Sequence, residues 1–74
     1  MKILNYTVYL QKAEEGGYII SAPALPGCVT QGESRQEALG MIKDAIEAYI
    51  ASLKKHGESI PKDTAEVEKV SVSV

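Results

Sequence analysis

GGYIISAPALPGCVTQGESRQE, residues 16–37, is the stretch that decides how this chain folds. Gly16 and Gly17 take positive φ without steric cost and close a hairpin turn over residues 11–17. Tyr18–Ala22 is then the returning antiparallel strand. Pro23 and Pro26 each fix their own φ and push the preceding residue toward extended backbone, so the segment between them is a stiff bend, which the chain leaves through a positive φ at Gly27. Cys28–Gly32 reads as a short third strand, closed by Gly32-Glu33. Ser34-Arg35-Gln36-Glu37 is a capping box, in which Ser34 accepts from the Glu37 amide and the Glu37 side chain reaches back to the Ser34 amide. The spacing predicts a helix from Arg35.

Upstream, Leu4, Tyr6, Val8 and Leu10 alternate with Ile3, Asn5, Thr7 and Tyr9, the period of a strand with one buried face over residues 3–10. Downstream, at 100° per residue, Ala38, Leu39, Ile42, Ile46, Tyr49, Ile50 and Leu53 fall within an arc of about 120°, the width of a stripe that faces a core. Lys54, Lys55 and His56 put positive charge in the last turn, where it complements the helix dipole, and Gly57 is the expected C′ stop. Residues 58–64, with Pro61, read as a loop. Val70, Val72 and Val74 then alternate with Lys69, Ser71 and Ser73, which predicts a fourth strand over Val67–Val74.

The expected fold is therefore α+β, strand-strand-strand-helix-strand. It has a four-stranded mixed sheet of order 3-2-1-4, one helix on one face, and the fourth strand parallel to the first through a right-handed crossover. The opposite sheet face, with Ile3, Tyr9 and Ile19, has nothing in the chain to cover it. No repeat, linker or low-complexity segment divides residues 1–74, so one domain is expected.

A chain of 74 residues buries only about 60% of the surface its unfolded form exposes. Self-association into a homodimer or higher homo-oligomer is the expected remedy, because one cysteine, Cys28, and one histidine, His56, supply neither a disulfide nor a structural metal site. A formal charge of −2 and a pI near 5.3 argue against direct nucleic-acid binding, which calls for clustered Lys and Arg. The chain carries no apolar run of bilayer length and no leader-like N-terminus, so no membrane partner is expected and a cytoplasmic location is.

The strand and helix order resembles the first part of a ribonuclease-H-like fold, which raises a metal-dependent ribonuclease as the enzyme reading. That chemistry needs carboxylates converging on two cations about 4 Å apart. The first strand has none, Glu14 and Glu15 sit in the hairpin turn, and Glu33 and Glu37 sit at the helix start. Cys28 reads as a small buried residue before it reads as a nucleophile, and His56 as a helix-end cation. The glycines match neither the P-loop nor the dinucleotide fingerprint, and turn geometry explains them. No catalytic residue, metal or cofactor is expected.

Gly17-Tyr18, Pro23-Ala24-Leu25-Pro26-Gly27-Cys28, Thr30, Gly32-Glu33-Ser34, Glu37-Ala38 and Ala45-Ile46, in that order and spacing, resemble the HicB-like antitoxin family over about residues 4–60. The resemblance implies a partial ribonuclease-H-like fold and a non-catalytic component of a toxin-antitoxin system. Such a protein binds a HicA-type toxin, a small mRNA-cleaving protein, and neutralises it by protein-protein contact. It also marks Tyr18, Pro23, Leu25, Pro26, Gly27, Cys28, Thr30, Gly32 and Glu33 as the family motif and expected partner surface. Many members carry an acidic residue where this chain has Ala24, and longer members add a DNA-binding domain that is not expected within residues 1–74. An interaction module with an unrelated partner is the remaining alternative.

Overall fold

The computed structural model describes residues 3–74. Three strands, β1 (Tyr9–Lys12), β2 (Tyr18–Ser21) and β3 (Val29–Gly32), precede one helix, α1 (Arg35–Lys55). The sheet is antiparallel throughout, in the order β1-β2-β3. Tyr9 stands opposite Ser21 and Lys12 opposite Tyr18, while Tyr18 also faces Gly32 and Ser21 faces Val29. Between β1 and β2 the hairpin closes through the Ala13 amide donating to the Gly17 carbonyl at 3.0 Å and the Gly16 amide donating to the Ala13 carbonyl at 3.1 Å.

The core holds Ile20, Ala22, Leu25, Cys28, Ala38 and Ile42. Alternation puts Ile20 on the inner face of β2, and the first two turns of α1 close over it. Ile20 and Leu25 are both fully buried, and each side chain of that size contributes about 1.5–3 kcal/mol through removal from water. Tyr6, Val8, Leu10, Tyr18 and the helix residues Leu39, Ala45, Ile46 and Tyr49 pack around this centre, partly buried.

Ser34 caps α1 from extended backbone (φ −126°, ψ 164°), its Oγ accepting from the Glu37 amide at 3.0 Å. At the other end the Gly57 amide donates to the Lys54 carbonyl and the Glu58 amide to the Leu53 carbonyl, the paired bonds of a Schellman motif with Gly57 at C′. The joint between sheet and helix is tight. A Cβ on Gly32 would lie 2.6 Å from the Ala38 amide nitrogen, so glycine alone lets the first turn of α1 rest on the end of β3.

The expected four-stranded mixed sheet of order 3-2-1-4, with its partial ribonuclease-H-like topology, is not what forms. Val67–Val74 carries the alternation of a strand but pairs with nothing, and Val67, Val70 and Val72 are 63–82% exposed. Residues 61–65 are held beside the N-terminal segment by side chains instead of a ladder. The Thr7 amide and hydroxyl both donate to Asp63 Oδ2 at 2.7 Å, the Tyr6 hydroxyl donates to the Pro61 carbonyl at 2.7 Å, and the Ala65 amide donates to Asp63 Oδ1 at 3.3 Å. Pro61 has no amide to offer a ladder.

The first strand is also shorter than the alternation over residues 3–10 predicts and is displaced along the chain, for Gln11 and Lys12, expected in the hairpin turn, belong to it. Opposite Tyr9, β2 ends at Ser21 because Ala22 turns into the proline bend. Residues 3–8 therefore run past the sheet with no strand to pair with, and Pro23 lacks the amide that would extend the ladder.

Two stability outcomes follow from this geometry. Gly32→Ala loses about 1–3 kcal/mol in urea unfolding, because backbone must move to admit the methyl group, whereas Gly40→Ala, in open space within α1, gains about 0.5–1 kcal/mol. The hydrogen bond from the Thr7 hydroxyl, followed by those from the Thr7 and Ala65 amides, holds the Asp63 carboxyl below the usual carboxylate range. A depressed carboxylate stabilises the fold above its unfolded pKa, and that contribution fades as pH falls through the folded one. Hydrogen exchange at the Thr7 amide accordingly loses protection on acidification below the ordinary aspartate range, and Asp63→Asn shows no such acid-dependent step.

Candidate partner-binding surface

The motif at residues 23–28 is built as two successive turns. The Leu25 amide donates to the Ala22 carbonyl and the Cys28 amide to the Leu25 carbonyl, both at 3.0 Å. The Ala22 amide then closes the loop on the Cys28 carbonyl, also at 3.0 Å. In the second turn Pro26 holds the position that wants φ near −60°, and Gly27, at φ 81°, holds the position that requires positive φ, the signature of a type II turn. The result folds Leu25 and Cys28 inward and leaves Pro23, Pro26 and Gly27 exposed.

The remaining motif residues lie elsewhere. Tyr18 and Thr30 are half-buried, and Thr30 stands opposite Ile20 on the helix side of the sheet. Gly32 serves the contact with Ala38. Glu33 is exposed at the far end of β3 from the bend, about 13 Å away at strand rise. The motif thus supplies two separate exposed features, the proline bend and Glu33, and its other residues position the core.

Two surfaces near these residues are not visible as sites in the motif. On the sheet face away from α1, Tyr9, Ile19 and Val29 are 43%, 39% and 58% exposed, and the strand register makes them neighbours across three strands. Val29 is the member that the alternation around Cys28 places there. At the hairpin end, a shallow cleft is lined by Glu15, Gly17, Gln31, Glu33, Glu37 and Met41, so three carboxylates from the hairpin turn, the strand end and the helix start share one rim.

Neither candidate for chemistry has a reactive setting. Burial pushes the Cys28 thiol up, away from the thiolate that nucleophilic attack needs. The His56 ring is at the helix end, with Nδ1 2.8 Å from the Ser52 carbonyl, which can only accept. Among the described residues no three His, Cys, Asp or Glu side chains gather to hold a metal ion, and no helix is long and apolar enough to cross a membrane.

Comparison with known proteins gives the relationship. A UPF0150 protein of Thermoplasma acidophilum is 59% identical over 63 residues, which is 85% of this chain and 91% of that one. Antitoxin HicB 1 of Photorhabdus laumondii is 41% identical over 61 residues, 82% of this chain and 39% of that protein. Antitoxin HicB of Escherichia coli is 38% identical over 58 residues, 78% of this chain and 42% of that protein. The chain thus spans about two fifths of the length of either named antitoxin. A family profile described as "HicB_like antitoxin of bacterial toxin-antitoxin system" matches residues 6–73. Because that match runs from Tyr6 through the motif and α1 into the valine segment, the chain belongs to the HicB-like antitoxin family.

Proposed function

We propose that this chain binds a small HicA-type, mRNA-cleaving toxin in the cytoplasm and neutralises it by direct contact, as a homodimer or larger assembly and without itself contacting nucleic acid. The observation that carries the reading is the family match over residues 6–73, together with relatives that are named antitoxins. The exposed parts of the motif support it. Pro23, Pro26 and Gly27 form a rigid bend whose shape is fixed before any partner arrives, so little conformational entropy is lost on docking. Glu33 adds a negative group on the rim shared with Glu15 and Glu37, suited to a basic partner such as an RNA-cleaving protein.

Self-association answers the small core. Among the described residues six apolar side chains form the buried core, while Tyr9, Ile19, Val29, Val70 and Val72 stand at the surface, and assembly is the ordinary way for a chain of this size to cover such groups.

The deciding experiment is co-expression with a HicA-type toxin. Growth is restored and the two proteins elute as one complex; absence of both rescue and complex formation defeats the antitoxin reading. Cys28→Ala retains neutralisation, with about 1 kcal/mol lower stability from the lost buried sulfur. A folded Cys28→Ala protein that no longer rescued growth would show that the thiol acts in function.

A further inference from the structure

We infer that residues 66–74 are an assembly arm, which docks in the groove between the N-terminal segment and α1 of a second copy. The inference rests on the self-association proposed above and names its means.

The groove exists because the helix is too long for the sheet. Twenty-one residues span about 31 Å at 1.5 Å each, against about 13 Å for a four-residue strand. Beyond Ile42, α1 therefore overhangs residues 3–8, which have no strand beside them. One wall of the groove is Leu4, Tyr6 and Val8, and the other is Ile42, Ile46 and Ile50. Lys43, Glu47 and Lys54 stand along it.

The arm has the matching character. Val70, Val72 and Val74 share one face of an extended segment, Val70 and Val72 being 82% and 78% exposed, and Glu66, Glu68 and Lys69 supply charges of both signs opposite to those available on the groove. Nine extended residues reach about 30 Å, more than the roughly 18 Å of helix between Ile42 and Lys54.

The chain's own groove is not filled by its own arm, as the valine exposures show. The Tyr6 hydroxyl holds the Pro61 carbonyl and Thr7 holds the Asp63 carboxylate, so residues 61–63 are fixed beside the N-terminal segment while Val67, Val70, Val72 and Val74 beyond them stay exposed. The radius of gyration of 14.2 Å, against about 11 Å for a compact chain of this length, records the projection. A second copy related by a two-fold axis accepts this arm and returns its own, a reciprocal contact that closes at the dimer.

Light scattering at tens of micromolar tests this on three proteins: the full chain, a chain lacking residues 66–74, and Ile50→Glu. The truncation leaves the six core residues and the Asp63 latch in place, and helical circular dichroism verifies that each variant is folded. Expected are a dimer mass for the full chain and a monomer mass for both folded variants, with Val70→Ser/Val72→Ser weakening the dimer at least tenfold. A folded truncated chain that keeps the dimer mass overturns the arm and leaves self-association standing. A monomeric full chain overturns both, and neither result bears on toxin binding.

Discussion

The fold depends on the absence of a side chain at Gly32. With nothing on its Cα, the end of β3 meets the backbone of Ala38 directly, and Glu33-Ser34 is all the chain needs to turn from strand to helix. That contact places Ala38 and Ile42 over Ile20 and brings the Leu25 plug under the same cover. A longer or looser joint would leave the helix stripe without a fixed partner, because the sheet is only three strands of four residues. The small core is thus held by geometry at one joint as much as by apolar area.

What the sequence made legible was whatever chain-local chemistry dictates. The N-cap at Ser34, the stop at Gly57, the glycine hairpin and the proline bend all specify their own backbone, and α1 begins at Arg35 as that cap requires, although of the expected box the hydrogen bonds show the Ser34 Oγ half alone. Pairing is different, since a strand exists only where another strand offers a free edge. The alternations in residues 3–8 and Val67–Val74 are as clear as that of β2, but β2 turns away at Ala22 and the valine segment meets no edge. Periodicity reports which side chains want to share a face; it is silent about whether a neighbour is there. The Asp63 latch was illegible for a related reason, since a hydrogen bond across 56 positions leaves no local trace.

The motif shows a similar division. It gathers two prolines, a glycine and a cysteine within six residues, and Leu25 and Cys28 point into the core while Gly27 sets a turn. Of the nine motif residues, Pro23, Pro26 and Gly27 of the proline bend and Glu33 are the exposed ones. Family resemblance in such a small domain therefore traces a backbone shape first, and the exposed surface follows from that shape. The open outer face of Tyr9, Ile19 and Val29 belongs to the same economy, since one helix covers one side of a sheet only.

The latch between Thr7 and Asp63 also bears on the order in which the molecule assembles and comes apart. Hairpin, bend and helix close short loops, while the Tyr6–Pro61 and Thr7–Asp63 bonds join positions 55 and 56 residues apart. Closing a loop of that length before the intervening chain is ordered carries a large entropy cost, which ordering β1, β2, β3 and α1 first reduces. The latch's few part-buried bonds then make it the first unit to open in the native state. Opening it releases residues 6–7 and 61–65 from each other while the sheet and α1 stay packed.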